Sequence, residues 1–371
     1  EGLCNLSLCE FIDGKSLSLI PGIVDPHQHI TGGGGENGPS SRTPQAQLSE
    51  IIEGGVTTLV GVLGTDSVSR SIENLIAQTQ AFRHDGLTTF FYTGAYHYKP
   101  PTLLGSVLKD VQLLQYCIGV GETAISDHRS SWPSHQDLVH LISDARVGGL
   151  VGGVAGVAHF HVGSYKSGID PLFDVLNSTD IPITNMYPTH VSNRGKILLE
   201  QSAKWIKSGG VVDMTADDPH DEVFHTVDAL IDFYKQDLPI DRHCTISSDA
   251  FGSLPVFDEN GKLVSYSTGK PSNILFTVAK LVLDHGWPLE RLLPLITSTP
   301  ARFLKLSGKG VIQVGNDADL VLLDERTFDV KYVFSGGQLM KSPTFLKCGL
   351  FDSNPNCSNS QSVKMVDEII I

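Results

Sequence analysis

The segment PGIVDPHQHITGGGGENGP, residues 21–39, begins with a short apolar run and places two histidines, His27 and His29, at the end of that run. It continues into four consecutive glycines and a glutamate, Glu36. Side chains two apart on a strand point to the same face, so the two imidazoles can reach one metal ion. Taken alone, a His-x-His pair is more often a pair of partly exposed polar residues than a metal site. The segment therefore predicts a strand whose end carries two imidazoles on one face.

Further apolar runs of strand length follow along the chain and alternate with longer amphipathic stretches. This alternation is typical of parallel strands that are joined by crossover helices. Eight strand and helix pairs in roughly 250 residues predict an α/β fold, a (β/α)8 TIM-like barrel, whose active site lies at the C-terminal strand ends. A doubly wound sheet is the structural alternative. The predicted strands are 23–30, 56–63, 88–94, 117–125, 157–163, 182–188, 211–217 and 244–249. The predicted helices include 43–54, 70–84, 135–145, 196–208 and 222–235.

Sequence patterning divides the chain into three parts. Residues 21–306 contain the predicted barrel. Residues 307–350 read as strands and turns without intervening helix, so we expect a small β-sandwich-like domain that takes its partner strands from residues 1–20. The polar, Asn- and Ser-rich tail, residues 351–371, is predicted to be disordered.

Composition excludes some classes of protein. A formal net charge of −14 argues against a general nucleic-acid binder, because a phosphate backbone is held by clustered Lys and Arg. No apolar stretch is long enough to span a bilayer and no signal peptide is recognisable, so we expect no membrane partner. The six cysteines show no framework spacing, which favours a reducing compartment and a cytoplasmic location. The sequence opens with Glu1 rather than Met, so we expect that the N-terminus is truncated.

Two glycine-rich stretches raise the question of nucleotide binding. GGGGEN, residues 32–37, lacks the Lys and Ser/Thr of a P-loop and places an acid where a phosphate would sit. A plain flexible loop is the alternative interpretation for this stretch. GGLVGGVAG, residues 148–156, has no dinucleotide fingerprint with its downstream acid, so we interpret it as a structural turn that leads into a strand.

Other predicted strands end in the same kinds of side chain as the first strand. Glu122, His161, His190 and Asp249 lie on or next to the fourth, fifth, sixth and eighth predicted strands. In a barrel these groups would converge with the His-x-His pair, giving four imidazoles and two carboxylates. This ligand set suits zinc or a similar divalent ion, and two carboxylates are enough to bridge or complete a pair of metals. The alternative is a set of unrelated polar residues at strand ends.

Several stretches together resemble a known superfamily. PGIVDPHQH, the separate histidines His161 and His190, SSDAFGS (247–253) and GKGVIQVGNDADLVLLD (308–324) are similar to the amidohydrolase superfamily of metal-dependent hydrolases. The motifs GGGGENGP, LGTDS, TGAYH, ISDHRSS, FHVG and PTHV resemble those of the isoaspartyl dipeptidase (β-aspartyl peptidase) family within it. They occur in that family's order from about residue 21 to residue 340, and together they are far more specific than any one of them alone.

The resemblance implies two divalent ions, with zinc as the expected metal. His27, His29 and Asp249 would hold one metal, and His161 and His190 would hold the second. It also implies that family members have several more strands before the first histidine pair, so we expect the small β domain to be incomplete.

Glu122 departs from the commonest version of the family pattern. It falls where many members carry a carbamylated lysine that bridges the two metals. A glutamate supplies the same bridging carboxylate without carbon dioxide, but its shorter side chain requires a closer approach of the strand. The alternative is a buried acid that pairs with a nearby base such as His128 or Arg129.

The resemblance also implies residues that bind a β-aspartyl dipeptide. Gly34 and Gly35 would form a tight loop that presents amides to the substrate, because glycine allows a close backbone approach and positive φ. Glu36 would then face the substrate's free α-ammonium group.

Two arginines follow predicted strands, and a β-aspartyl dipeptide has two carboxylates to be recognised. The guanidinium groups of Arg129 and Arg194 can bind carboxylates bidentately. Without the resemblance, each arginine is as well explained as an ordinary surface residue. The remaining residues that the resemblance places in contact with the substrate are Thr65, Tyr96 and Ser253.

These parts predict a metal-dependent hydrolysis of the isopeptide bond of β-aspartyl dipeptides. A metal lowers the pKa of a bound water, Asp249 moves the proton, and Tyr96 donates a hydrogen bond to the carbonyl oxygen. The alternatives are a cyclic-amide hydrolase of the dihydroorotase or hydantoinase kind and a non-catalytic assembly protein on the same scaffold. Relatives form homo-oligomers, so the resemblance implies one here.

Overall fold

The computed structural model of the chain describes residues 11–257 and 263–357. Its strands are β1 (Leu17–Pro21), β2 (Ile23–Gln28), β3 (Val56–Gly61), β4 (Thr88–Thr93), β5 (Cys117–Ile125), β6 (Val157–Val162), β7 (Met186–Thr189), β8 (Val212–Thr215), β9 (Cys244–Ser247), β10 (Ser253–Phe257), β11 (Leu263–Thr268), β12 (Leu320–Asp324), β13 (Val330–Ser335), β14 (Gln338–Ser342) and β15 (Phe345–Leu346). Its α-helices are α1 (Leu48–Glu53), α2 (Ile72–His84), α3 (Val107–Leu113), α4 (His135–Gly152), α5 (Asp170–Ser178), α6 (Lys196–Lys207), α7 (His225–Lys235), α8 (Ile240–His243), α9 (Asn273–Leu283), α10 (Leu289–Ile296) and α11 (Ser298–Phe303).

Eight parallel strands, β2 to β9, form the barrel. Strands β2 to β7 make one six-stranded parallel sheet in chain order, and β8 pairs in parallel with β9. The amide of His29 donates to the carbonyl oxygen of Ala250 at 2.9 Å, which joins the first barrel strand to the last. The amide of Val191 donates to the carbonyl oxygen of Asp213 at 3.3 Å, which joins β7 to β8. The predicted TIM-like barrel is confirmed, and each of the eight predicted strands overlaps an observed one.

The barrel strands are buried on both faces, which is why they read as nearly continuous apolar runs. The outer helices have ordinary termination signals. Helix α4 begins with a capping box between Ser134 and Asp137, and it ends at Gly153, whose φ of 71° is in the left-handed region.

The glycine-rich stretch 148–156 differs from our interpretation, because the structure continues α4 through Gly152. A Cβ atom on Gly148 would lie 2.9 Å from the carbonyl oxygen of Leu108, and one on Gly149 would lie 2.4 Å from the Cα atom of Gly156. The glycines therefore allow α4 to pack closely against α3 and against the chain that enters β6, and only the last part of the stretch is a turn.

The small β unit is a five-stranded antiparallel sheet in the order β1, β12, β13, β14, β15. It draws its first strand from the N-terminal end and the others from the region after the barrel, so the predicted β-sheet unit from the two ends of the chain is confirmed. Within the described residues this unit is a single sheet and not the two packed sheets of the predicted β-sandwich-like domain. Val321 and Val330 lie against the turn at Gly55 that leads into β3, which attaches the sheet to the barrel. The division at residues 20 and 307 stays a prediction, and residues 1–10 lie outside the described part.

The prediction of a disordered tail is wrong for residues 351–357. The carboxylate of Asp352 accepts hydrogen bonds from the amide and the hydroxyl of Ser49, both at 2.9 Å. The side-chain amide of Asn354 donates to Glu53 at 2.8 Å. These polar side chains attach the segment to helix α1, so the polar composition here serves specific hydrogen bonds. Residues 358–371 lie outside the described part of the chain.

The cysteines also differ from the expectation. Cys348 and Cys357 form a disulfide with a Cα–Cα separation of 5.7 Å, which closes the segment that follows β15. Cys117 and Cys244 are free and buried in barrel strands. A disulfide is therefore present although the cysteines show no framework spacing. The spacing of the cysteines no longer supports a reducing compartment.

None of the helices in the described part of the chain combines the length and apolar character needed to cross a bilayer.

Candidate metal centre and active site

The structure brings the six predicted ligand residues together at the C-terminal ends of the barrel strands. His27, Glu122 and His161 lie on β2, β5 and β6, and all three are buried. His190 and Asp249 follow β7 and β9, and both have left-handed backbone conformations, with φ of 63° and 50°. The remaining residue, His29, follows β2 and is also buried.

Four ligand atoms from this cluster surround one point. They are the Nε2 atoms of His27 and His29, Oε1 of Glu122 and Oδ1 of Asp249. The separations are 3.4 Å between the two nitrogens, 3.5 and 3.3 Å from His27 to the two oxygens, and 3.4 and 3.2 Å from His29 to the same oxygens. A tetrahedral ion with ligand bonds of about 2.0–2.1 Å keeps its ligand atoms about 3.3–3.4 Å apart. The observed spacing therefore fits a tetrahedral divalent ion.

Unpaired polar atoms support the same conclusion. Oε1 of Glu122 and Oδ1 of Asp249 are buried and have no hydrogen-bond partner. A buried carboxylate oxygen without a partner is costly, whereas a cation among the four atoms would satisfy it. Imidazole nitrogens with carboxylate oxygens are a donor set that suits zinc and similar ions. The residues present therefore fit a divalent metal ion.

The second oxygen of Glu122 faces a different pair of histidines. Oε2 lies 3.4 Å from Nδ1 of His161 and 3.4 Å from Nε2 of His190. The two oxygens of one carboxylate thus point to two separate pairs of imidazoles, which is the arrangement that a ligand shared between two metals requires. The bases suggested as alternative partners of Glu122 pair elsewhere, because His128 and Arg129 both contact Asp127.

Electrostatics within the cluster divide the histidines into two kinds. Burial lowers the pKa of His27, but the carboxylates of Glu122 and Asp249 outweigh it and raise this pKa well above its usual value. Burial lowers the pKa of His190 to about 3, so this ring is neutral and free to act as a ligand. Metal binding must therefore displace a proton at His27 and not at His190.

We expect zinc binding at pH 7 to release at least one proton per chain. The reason is that the raised pKa keeps His27 protonated in the metal-free site, and its Nε2 proton must leave before a metal binds. For the same reason the affinity should fall as the pH is lowered. Isothermal titration calorimetry in buffers of different ionisation enthalpy measures the number of protons released. Zero net release at pH 7 would contradict this assignment.

Asp127 is a site residue that the sequence interpretation missed. Its Oδ2 lies 3.0 Å from Nε2 of His161, and its two oxygens accept from Nε and an Nη atom of Arg129, each at 2.9 Å. A carboxylate can only accept from Nε2–H, so the lone pair of His161 is on Nδ1, which faces Oε2 of Glu122. In this structure the same lone pair accepts a hydrogen bond from the phenol of Tyr96, 2.8 Å away. Burial and then Glu122 raise the pKa of Tyr96 well above its usual value, so the phenol keeps its proton.

His159 is the second missed residue. It lies on β6 two residues before His161 and is fully buried beneath the cluster, with Nε2 at 2.8 Å from Nδ1 of His27. The available signal was the second His-x-His pattern of the chain, in VAHFHVG, of which only the later histidine was assigned.

Glu36 lies next to the metal-binding cluster, and its carboxylate has partners from three separate segments of the chain. The hydroxyl of Thr65 donates to its Oε1 at 3.0 Å, and the hydroxyl of Ser253 donates to its Oε2 at 3.3 Å. An Nη atom of Arg129 lies 3.5 Å from Oε1. The glycine loop positions Glu36, with positive φ at Gly34 and Gly35.

One detail of the glycine loop differs from the expectation. The amide of Gly35 donates to the carbonyl oxygen of Ser41 at 3.2 Å, so this amide stabilises the loop. Beside the loop lies a cavity of about 330 Å³, and its lining residues are Gly34, Gly35, Gly38, Pro39, Arg42, Thr65 and Asp66.

The guanidinium group of Arg194 has fewer polar partners than that of Arg129. Its Nε donates to the carbonyl oxygen of Val162 at 3.4 Å, and no carboxylate within the described residues forms an ion pair with its guanidinium group. Burial lowers its pKa from the usual value. Arg129, in contrast, is already paired with Asp127. Arg194 is therefore the better placed of the two predicted arginines to receive a ligand carboxylate.

Gly252 must remain without a side chain for the cluster to form. A Cβ atom there would lie 2.8 Å from Oδ1 of Asp249 and 2.8 Å from Cδ2 of His29. We expect Gly252→Ala to weaken zinc affinity by about 10-fold or more, as changes next to metal ligands typically do. Competition with a chromophoric chelator measures the affinity. Gly14→Ala is the matched control, because a Cβ atom at Gly14 meets no atom within 4 Å. Unchanged affinity in Gly252→Ala would contradict this account.

Comparison with known proteins places this site in a family. Residues 18–340 match the amidohydrolase family. The crystal structure of a β-aspartyl dipeptidase from the thermophilic, keratin-degrading Fervidobacterium islandicum AW-1, in complex with a β-Asp-Leu dipeptide, is 46% identical. The match covers 91% of this chain and 88% of that chain, with a TM-score of 0.85. Another structure of β-aspartyl dipeptidase from that strain is 44% identical over 94% of this chain and 91% of that chain, with a TM-score of 0.85.

More distant structures share the fold alone. A dihydropyrimidinase from Brevibacillus agri NCHU1002 is 16% identical over 93% of this chain and 89% of that chain, with a TM-score of 0.60. The resemblance that the motifs indicated is confirmed by the family match and by the two structures above 40% identity. The chain belongs to the amidohydrolase family.

Proposed function

We propose that the protein is a metal-dependent dipeptidase that hydrolyses the isopeptide bond of β-aspartyl (isoaspartyl) dipeptides. The observation that carries this proposal is the buried cluster in which the two oxygens of Glu122 face two separate pairs of imidazoles. The relative that is 46% identical binds β-Asp-Leu, which supports the same substrate class.

We propose zinc as the metal, with two ions in each chain. His27, His29 and Asp249 would hold one ion, and His161 and His190 would hold the other. Glu122 would be shared between them in place of a carbamylated lysine, and its burial among four imidazoles supports this role. Bound divalent ions would supply an acidified water and polarise the scissile carbonyl group.

Charged side chains would orient the substrate by binding both its ammonium group and its carboxylate. Glu36 would bind the free α-ammonium group, and the hydroxyls of Thr65 and Ser253 hold its carboxylate in place. Arg194 would bind the α-carboxylate of the aspartyl residue, since its guanidinium lacks an ion-pair partner in the described structure. Arg129 would take part through its remaining donor atoms, next to Glu36.

The remaining steps are proton transfers at named atoms. Asp249 would accept the proton of the attacking water and pass it to the leaving amine. Burial opposes ionisation of this carboxyl, but the nearby imidazoles of His27 and His29 hold its pKa well below the usual range, so the group is ionised and has a free site for a proton. The phenol of Tyr96 would donate a hydrogen bond to the carbonyl oxygen as that oxygen becomes negative.

The test compares β-Asp-Leu with α-Asp-Leu as substrates in the presence of zinc. We expect turnover of β-Asp-Leu and little turnover of the α isomer. Equal turnover of both, or of neither, would refute the proposal. Ring opening of dihydroorotate without dipeptide cleavage would favour a cyclic-amide hydrolase instead. A protein that purifies without metal and binds none would favour a non-catalytic scaffold.

We expect Glu36→Gln to raise KM for β-Asp-Leu by about 10- to 100-fold, because a charge-assisted hydrogen bond is worth roughly 1.5–3 kcal/mol. The change in kcat should be smaller, since Glu36 lies beside the reacting atoms and not among them. Steady-state kinetics measure both constants. Glu325→Gln is the matched control, because Glu325 is exposed in the turn between β12 and β13, and it should leave KM unchanged. A KM equal to that of the wild type would show that Glu36 does not bind the α-ammonium group.

Two further predictions come from the sequence and the resemblance. We propose that the protein forms a homo-oligomer, and its mass in solution tests this. A cytoplasmic location also stays a prediction, and the disulfide between Cys348 and Cys357 is the observation that weighs against it.

A further inference from the structure

His159 lies one layer below the metal-binding cluster and has no role in the steps above. It shares a strand face with His161, two residues later on β6. Its ring lies between two tyrosine rings, with centroid distances of 5.0 Å to Tyr92 and 4.8 Å to Tyr187. The side chain is fully buried, so each of its nitrogens needs a partner within the protein.

The partners of His159 fix the direction of its hydrogen bonds. Nδ1 lies 3.0 Å from the backbone carbonyl oxygen of Tyr187, which can only accept, so Nδ1 carries hydrogen and donates. Nε2 lies 2.8 Å from Nδ1 of His27. Within the described residues no carboxylate forms an ion pair with His159, and burial without a counter-charge disfavours its cation. Nε2 of the neutral ring is therefore an acceptor, and Nδ1 of His27 is the donor.

This direction determines which nitrogen of His27 is free. A neutral imidazole that carries hydrogen on Nδ1 has its lone pair on Nε2. Nε2 of His27 is the atom that lies 3.5 Å from Glu122 and 3.3 Å from Asp249. The chain of hydrogen bonds thus runs from the cluster through His27 and His159 to the backbone of β7.

We propose that His159 is a positioning residue that holds His27 in the tautomer whose Nε2 faces the metal. The inference rests on the metal-dependent function proposed above. The outer partner of a metal-bound histidine is typically a carboxylate, a carbonyl or a water, and its loss typically costs 10–100-fold in metal affinity. A neutral imidazole in this position accepts the hydrogen bond and adds no negative charge below the cluster.

Two substitutions separate hydrogen bonding from packing. His159→Gln can keep an acceptor near the position of Nε2 but removes the ring between Tyr92 and Tyr187. His159→Phe keeps a ring between the two tyrosines but removes the acceptor. If His159 acts through His27, zinc affinity in His159→Gln stays within about 3-fold of the wild type, and in His159→Phe it falls by about 10–100-fold. If His159 only fills space, the order of the two variants is reversed.

The full-length protein is stripped of metal, and zinc affinity is measured at constant pH by competition with a chromophoric chelator. The visible spectrum of the cobalt-substituted protein reports on the ligand geometry and should change in His159→Phe alone. KM for β-Asp-Leu should be the same in all forms, while kcat at limiting zinc follows the affinity. A lower zinc affinity in His159→Phe than in His159→Gln supports the proposal. The reversed order, or wild-type zinc affinity in both variants, would overturn it.

Thermal unfolding of the metal-free variants shows whether each one folds. If His159→Phe does not fold, nitrogen NMR of the wild type labelled with 15N-histidine replaces it. That measurement should find hydrogen on Nδ1 of His159 and no hydrogen on its Nε2, and the opposite tautomer would overturn the proposal. The zinc affinities are measured without a dipeptide, so a result against the role of His159 leaves the dipeptidase proposal untouched. Absence of β-Asp-Leu cleavage, in contrast, counts against the dipeptidase proposal alone.

Discussion

Replacing Asp249 with asparagine is expected to lower kcat for β-Asp-Leu by about three orders of magnitude, because a positioned general base alone contributes roughly 10²–10⁴-fold. The side chain has two tasks in the proposed site. Its Oδ1 lies 3.3 Å from Nε2 of His27 and 3.2 Å from Nε2 of His29, so it belongs to the ligand cluster. It is also the ionised group that would accept the proton of the attacking water.

Asparagine is the appropriate replacement because of the backbone at this position. The φ angle of residue 249 is 50°, a left-handed conformation that Asp and Asn tolerate better than other residues with side chains. Asp249→Asn therefore keeps the backbone and the shape of the side chain and removes the negative charge. An alanine at this position would add backbone strain to the chemical loss.

Steady-state kinetics at saturating zinc measure the effect, and metal content and thermal unfolding are measured on the same sample. KM for β-Asp-Leu should change little, because the groups that hold the substrate are Glu36 and the arginines. A kcat within 10-fold of the wild type at full metal occupancy would show that another group moves the proton. A cooperative thermal transition in the variant confirms that the loss is chemical.

Most of the fold could be predicted from the sequence because the barrel strands are buried on both faces. The strand Cys117–Ile125 was predicted with the bounds that the structure gives it, and Ile23–Gln28 and Val157–Val162 begin where predicted. Among the strands, the predicted bounds differ most around residues 182–188, where a 3-10 turn at Ile183–Asn185 precedes a strand of four residues. A parallel barrel also makes all C-terminal strand ends neighbours, so the convergence of the six candidate ligands followed from the fold.

Features that depend on neighbouring elements could not be predicted in this way. Gly148 and Gly149 look like turn residues in the sequence, but they lie in a helix because a second helix and the entrance to a strand pass too close for a Cβ atom. Asp127 follows a strand and resembles an ordinary loop acid until His161 and Arg129 are brought to it. The disulfide between Cys348 and Cys357 likewise depends on the return of the tail towards the end of β15.

His159 shows a different limit of sequence analysis. Its His-x-His pattern is visible in the sequence, but the ends of the strands indicate only the residues at the rim of the barrel. The polar interior continues below the rim, where His159 contacts His27 and where Asp213 accepts from the hydroxyls of Thr189 and Ser247, each at 2.6 Å. The metal-binding cluster is therefore supported from below by a polar layer, and its ligands are oriented by residues that no substrate would touch.

The substitution with the widest expected effect is Glu122→Gln. Each oxygen of Glu122 faces its own pair of imidazoles, with separations of 3.4–3.5 Å. A neutral amide is a poor metal ligand, and one of its two polar atoms is a nitrogen donor, so both proposed sites lose their shared charge. We expect zinc to bind weakly at both sites. Because a Lewis-acid metal supplies several kcal/mol of transition-state stabilisation, kcat should fall by about three orders of magnitude or more.

Glu122→Asp is the matched control, because it keeps the negative charge and shortens the side chain by one methylene group. A shorter carboxylate cannot place its two oxygens against both pairs of imidazoles without movement of β5, so we expect one zinc ion per chain and partial activity. Metal analysis after dialysis gives the number of ions, and the rise in Tm on adding zinc reports binding independently of turnover. The rise should be largest in the wild type, smaller in Glu122→Asp and smallest in Glu122→Gln. Two zinc ions bound to Glu122→Gln with wild-type affinity would show that the carboxylate is not shared, and the two-metal assignment would then be wrong.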